Sequence, residues 1–237
     1  MIGIVKNHLV QTVGVVVMTL VLVLNCCPRG FSLTETSIET IEREARLTAL
    51  LLAPSIPNAQ ALGNQSAEIT LVEFGDYQCT FCKRFHSITR ELVINNFVDS
   101  GKVRFLFKDY PINDIAPTNS STLAAEASYC AADQHRYWEY HNELYDNWRG
   151  ENTGWVSPES LMVFAKDSGI GNASEFSNCI SSHKYSTLVH QNYDLAISLG
   201  LTSTPSFVVL SEYKSPMVIV GSQPFQTFDY MIKNMVS

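Results

Sequence analysis

The sequence predicts an α/β fold in which a small buried sheet is interrupted by an all-helical stretch. Three observations carry this. A strand–helix–strand succession occupies residues 68–107. Helical periodicity then runs from Thr118 to about Leu199, with Gly150, Gly154, Gly169 and Gly171 as breaks and no strand between them. Two β-branched runs and a final helix close the chain.

The order of elements can be read from the residues. Leu9 to Leu24 is an uncharged apolar run preceded by Lys6. Its length of about 16 residues falls just short of the roughly 17–25 a membrane span needs, and extension through Cys26 and Cys27 reaches that length. No small-x-small cleavage site comes after it, so residues 1–30 read as a signal anchor, with a cleaved signal peptide as the alternative. Cys26 and Cys27 at its boundary admit a lipid, a partner chain or loss on cleavage. Residues 31–67 read as a helix and a linker. The helix runs over Thr34–Leu52, with Ile38, Ile41, Ala45, Ala49 and Leu52 at spacings of three or four, and Pro54, Pro57 and Gly63 mark the linker.

Glu68–Phe74 (EITLVEF) is short, apolar and β-branched, hence a buried strand. Thr80–Val98 is helical through Phe81, Phe85, Ile88, Leu92 and Val93, and Val103–Phe107 is a second strand. This order gives a βαβ unit and a parallel pair. Candidate helices come next at Thr122–Asp133, Tyr137–Trp148, Pro158–Asp167, Ala173–Ser181 and Tyr185–Leu199. Strands at Ser206–Leu210 and Met217–Val220 and a helix at Pro224–Met235 complete a thioredoxin-like sheet. Its first part spans 68–117, its second 201–237, and the helical insertion 118–200.

Composition narrows the function. The chain of 237 residues is 46% hydrophobic, enough for a core that needs no metal. Its net charge of −7 argues against nucleic acid, since phosphate binding needs clustered Lys and Arg and the compact basic cluster is only Lys83-Arg84. The six cysteines form one vicinal pair, one C-x-x-C and two singles, Cys130 and Cys179, which is not a four-cysteine zinc ribbon. Metal, nucleotide and flavin motifs are not visible.

The motif Cys79-Thr80-Phe81-Cys82 comes directly after a buried strand and opens a helix. Free N–H groups and the positive dipole end there stabilise a thiolate and lower its pKa. The thiolate is the species that attacks and leaves in disulfide exchange. Cys79 is expected exposed at the helix tip and Cys82 shielded one turn on. Competing readings are half a zinc site with His86, an inert structural disulfide, or chance.

The stretch from Gly63 to Phe85, centred on Glu73-Phe74-Gly75-Asp76-Tyr77-Gln78-Cys79-Thr80-Phe81-Cys82, resembles the active-site region of DsbA-type thiol–disulfide oxidoreductases. It is most similar to their membrane-tethered branch in Gram-positive bacteria and archaea, and the likeness runs from about Ala61 to the C-terminus. The resemblance implies a thioredoxin fold with an inserted helical domain. It implies catalytic Cys79 and Cys82, a cis-proline at Thr204-Pro205 facing them, and a buried proton-relaying Glu73 with Lys108 as its basic partner. It also implies a structural Cys130–Cys179 disulfide, where the residues alone leave two buried thiols equally open. Thr80 departs from the branch, which often has Pro there, and this leaves the strength of the oxidant open.

The expected function is thus oxidation of thiols in extended or unfolded extracytoplasmic proteins through Cys79 and Cys82. No cofactor is expected, and a membrane partner is needed for reoxidation. A reductase or isomerase of the same fold, and a non-catalytic peptide-binding module, are the alternatives.

Overall fold

The computed structural model describes residues 35–57 and 61–236. The apolar run at 9–24, Cys26, Cys27 and Thr34, the first residue of the expected helix, lie outside them. Among the described residues no helix is long and apolar enough to cross a membrane.

Helix α1 spans Glu35–Leu52. Strand β1 (Ile69–Gly75) pairs in parallel with β2 (Val103–Asp109) and antiparallel with β3 (Ser206–Ser211), which pairs antiparallel with β4 (Met217–Val220). The order is β2-β1-β3-β4. Every residue of β1 is buried, which is why it reads as a continuous apolar run. Residues expected as linker contribute to the sheet edge: Leu62 exchanges two backbone hydrogen bonds with Phe105, at 2.9 and 3.0 Å.

The helix after β1, α2, is continuous but composite. It is α-helical over Thr80–Phe85 and Glu91–Val93 and π-helical over His86–Arg90 and Ile94–Val98. Its inward face differs from the expected one. Phe81, Ile88 and Leu92 are exposed, whereas Cys82, Phe85, Thr89, Val93 and Phe97 are buried. Counting only large apolar residues misplaced the stripe, because a cysteine and a threonine belong to it. The wider π turn also stacks residue i+5 over residue i. Arg90 is therefore carried with Phe85 onto the sheet side, its guanidinium 5.8 Å from the Phe105 ring and 5.6 Å from that of Trp138.

The helical stretch comprises α3 (Ser120–Ala132), α4 (Tyr137–Asp146), α5 (Pro158–Asp167), α6 (Ala173–Ser181) and α7 (Ser186–Ser198). Helix α3 starts earlier than its periodicity suggests because a distant acid caps it: Asp114 accepts from the N–H of Ser121 at 2.7 Å and of Thr122 at 3.2 Å. Ser157 caps α5 by a reciprocal Ser157–Ser160 box with Pro158 in the first turn, and Asn172 caps α6. The closing helix α8 spans Phe225–Met235.

Two cores result. Phe85, Val93 and Phe97 of α2 and Phe228, Ile232 and Met235 of α8 cover Leu71, Phe105, Phe207 and Val209 of the sheet. Phe85 touches Phe207 and Phe228 at ring distances of 4.5 and 5.3 Å, so its truncation to Ala costs about 3–5 kcal/mol. The second core joins Tyr129, Tyr140, Leu144 and Phe176 of the helical stretch to Tyr77, Cys79, Cys82 and Phe107. At the end of β2 the buried Asp109 accepts from the Tyr129 hydroxyl and, at 3.4 Å, from the Asn192 amide, tying α3 and α7 to the sheet.

Cys130 of α3 and Cys179 of α6 form a disulfide that closes a separation of 49 residues. In the chain-entropy account a loop of that length stabilises by about 4 kcal/mol. The double variant Cys130→Ala/Cys179→Ala should lose stability approaching that figure in urea unfolding. A loss under about 1 kcal/mol would mean that the cross-link constrains the unfolded chain little.

Candidate active site

The loop from β1 to α2 is fixed by Asp76. Its Oδ1 accepts from the Gln78 N–H and its Oδ2 from the Asn113 N–H, both at 2.8 Å, while its carbonyl accepts from the Cys79 N–H at 3.0 Å. Gly75 before it permits close approach, since a Cβ there would lie 2.5 Å from the Phe107 ring and 3.3 Å from Glu73 Oε1. Cys79 is thereby placed at the N-cap of α2, with extended backbone.

Both thiols are free. Cys82 is fully buried, and its sulfur accepts from the Asp76 N–H at 3.5 Å. Cys79 retains only 4% exposure, which corrects the expectation of an open helix tip. The cause is the loop before β3: the Cys79 thiol donates to the Thr204 carbonyl at 3.4 Å. The Thr204–Pro205 bond is cis. The Thr204 hydroxyl is buried and makes no hydrogen bond of its own.

The two sulfurs differ in proton affinity. Cys79 is lowered from 9.0 to about 6, chiefly because the Cys82 thiol donates to it, against an opposing effect of burial. The Thr204 hydroxyl, unpaired while Cys79 is a thiol, and the N–H groups of Cys82 and Phe81 add to the lowering as donors to the thiolate. Cys82 is raised well above the ordinary thiol value by burial, then by its bond to Cys79 and by the Cys79 and Glu73 charges. The leading stabiliser of the Cys79 thiolate is thus the neighbouring sulfur, and the helix N–H groups come after it.

A family model described as thioredoxin matches residues 55–217. Disulfide bond formation protein D of Bacillus subtilis is 30% identical over 158 residues, covering 66% of this chain and 69% of that protein. The crystal structure of oxidised BdbD from Bacillus subtilis superposes with a TM-score of 0.67 at 26% identity, covering 77% of this chain and 95% of the other. Wolbachia pipientis alpha-DsbA1 shares the fold with a TM-score of 0.65 at 24% identity, over 79% and 94%. The chain belongs to the DsbA-type thiol–disulfide oxidoreductases.

In this DsbA-type chain Glu73 is 2% exposed and carries a pKa raised from 4.5 to about 8 by burial, with the Arg90 charge opposing. Lys108 is not beside it. In the β1–β2 register Glu73 pairs with Phe107 and Phe74 with Lys108, so Lys108 leaves the opposite face of the sheet. There it donates to the Ala53 carbonyl at 3.0 Å, and burial lowers its pKa to about 8. Arg90 stands where Lys108 was expected. Reading the sequence missed it because α-helical spacing does not place it under Phe85. Asp76 was also missed, although an Asp two residues before a backbone N–H in a strand-to-helix loop is a turn signal. His86, the expected third zinc ligand of the competing reading, instead lies 3.3 Å from Asp146 through Nε2.

A raised carboxyl pKa has a direct consequence for stability. The fold favours the protonated form of Glu73, so this contribution is complete below pH 4.5 and is lost as pH rises through about 8. Asp76, raised to about 7, and Asp109, raised to about 6, act in the same direction. Glu73→Gln should remove the first of these losses and leave the others. Urea unfolding of the reduced protein at pH 5 and pH 8 should show the variant gaining on the wild type towards pH 8. An equal difference at both pH values would mean that Glu73 titrates as an ordinary carboxyl.

Proposed function

We propose that this oxidoreductase works as a dithiol oxidase on extended or unfolded proteins outside the cytoplasm, held to the membrane by residues 9–24. The observation that carries this reading is the asymmetry of the pair: one sulfur at the helix N-cap, ionised near pH 6, and one fully buried and protonated. A sulfur with a low pKa leaves easily, which makes its disulfide oxidising.

In the resting enzyme Cys79 and Cys82 share a disulfide. A substrate thiolate attacks Cys79 Sγ, forming a mixed disulfide and expelling Cys82 as a thiolate. Cys82 then takes a proton, for which the buried and protonated Glu73 is the fitting donor. A second substrate thiolate attacks the substrate sulfur of the mixed disulfide and releases Cys79 as a thiolate. The substrate leaves oxidised by two electrons and the enzyme holds them as a dithiol. A membrane partner carrying an oxidant is required to restore the disulfide.

Two features support protein substrates. Phe81, between the cysteines, is 55% exposed and offers an apolar contact. In the disulfide form Cys79 has no hydrogen to donate, so the Thr204 carbonyl is released for the N–H of an extended peptide. The Cys130–Cys179 disulfide supports an oxidising compartment. The apolar character of residues 9–24 supports the anchor.

The rate of alkylation of reduced protein by iodoacetamide should be half-maximal near pH 6, with label on Cys79 only. A midpoint near the ordinary 9.0 would remove the activated sulfur from the mechanism. Cys79→Ser should abolish oxidative refolding of a reduced substrate protein. Glu73→Gln should slow turnover and flatten its pH dependence.

A further inference from the structure

The N–H groups of the first turn of α2 do not all serve the Cys79 sulfur. Those of Phe81 and Cys82 favour its thiolate over its thiol. That of Thr80 donates instead to Glu151 Oε1, at 2.8 Å. Glu151 stands 71 positions away in sequence, in the turn between α4 and α5. Its solvent-exposed carboxylate sits beside the first residue after Cys79.

The turn that carries Glu151 is fastened to the redox loop on both sides of it. The Trp148 indole N–H donates to the Gln78 carbonyl at 2.8 Å. The Asn152 N–H donates to Gln78 Oε1 at 3.0 Å, and Gln78 Nε2 donates back to Asn152 Oδ1 at 3.3 Å. Asn152 Nδ2 donates to the Asn113 carbonyl at 3.0 Å. Gln78 is 1% exposed, so these bonds satisfy an amide that has no access to water. Gly150 and Asn152 flank Glu151 with φ of 107° and 54°, the left-handed backbone that turns the segment back onto the loop. The acid is therefore held in place by its neighbours.

We propose that Glu151 is a positioning residue of the redox site, a carboxylate lent by the helical stretch that makes Cys79 less acidic and the Cys79–Cys82 disulfide a weaker oxidant. It acts by setting negative charge at the positive end of α2, on the N–H that opens the helix. A thiolate beside that charge is less stable, hence a poorer leaving group, and the reduced form loses stabilisation. Glu151 is exposed, so solvent screening keeps the effect to about two- to fivefold in an equilibrium constant. The inference rests on the redox reading of Cys79 and Cys82.

Two variants of the full chain separate charge from capping. Glu151→Gln keeps an oxygen for the Thr80 N–H and removes the charge, while Glu151→Ala removes both. The measurements are thiolate absorbance against pH and equilibrium with reduced and oxidised glutathione. Glu151→Gln should raise the Cys79 ionisation constant about two- to fivefold and move the glutathione equilibrium by a similar factor towards a stronger oxidant. Glu151→Ala should do at least as much. If Glu151→Gln is silent in both and Glu151→Ala only lowers the melting temperature, Glu151 is a helix cap and the inference falls. If the wild-type pair does not equilibrate with glutathione, the redox reading falls with it. A wild type that equilibrates, with both variants indistinguishable from it, overturns the role of Glu151 alone.

Discussion

A single constraint organises this molecule: two sulfurs lie one helical turn apart and differ in what surrounds them. The neighbouring thiol favours the Cys79 anion, and burial decides which sulfur keeps its proton. Cys82 has no exposed surface and receives only the Asp76 N–H, so it stays protonated. Cys79 lies at the end of a helix under Thr204, where several donors meet one sulfur. Separating the two cysteines by one helical turn creates the asymmetry, and everything packed around them preserves it.

The two cores divide that task. The aromatic cluster of Phe85, Phe207 and Phe228 fixes α2 against the sheet and so fixes the direction in which Cys79 points. The helical core supplies the lid over Cys82. Tyr77, Phe107, His141 and Tyr145 are in mutual ring contact within about 6.4 Å, and the Tyr145 hydroxyl donates to the Asp76 carbonyl at 3.4 Å. The dry environment that raises Cys82 is therefore built largely by residues beyond the sheet. A sheet and a C-x-x-C without the helical stretch would leave Cys82 wetter and the pair more nearly equal.

The elements of the fold were legible because buried strands and glycine-punctuated helices leave strong local patterns, as Glu68–Phe74 and Pro158–Asp167 illustrate. The place of the C-x-x-C between strand and helix was legible for the same reason. What escaped is what depends on distance in space. The inward face of α2 includes Cys82 and Thr89, which an apolar count skips. Arg90 reaches the sheet by a π turn that no residue pattern announces. Lys108 is the next residue after Phe107 in a β-strand, and one step along a strand changes face. Thr204 closes over Cys79 from 125 positions away. No local signal marks a residue at such a separation, and the same is true of Glu151.

The buried carboxyls complete the electrostatic account. Glu73 and Asp76 are both raised by burial, and the Cys79 charge raises each further. Formation of the Cys79 thiolate on reduction thus strengthens the hold of Glu73 and Asp76 on their protons. Two electrons entering the pair at neutral pH bring a proton to Cys82, whereas Cys79 remains ionised. The site accepts the resulting negative charge more readily because burial keeps Glu73 protonated. Arg90 faces Glu73 across the same space, and its pKa is itself lowered by burial. The fold therefore favours the Cys79 thiolate by keeping the buried Glu73 from becoming a second anion.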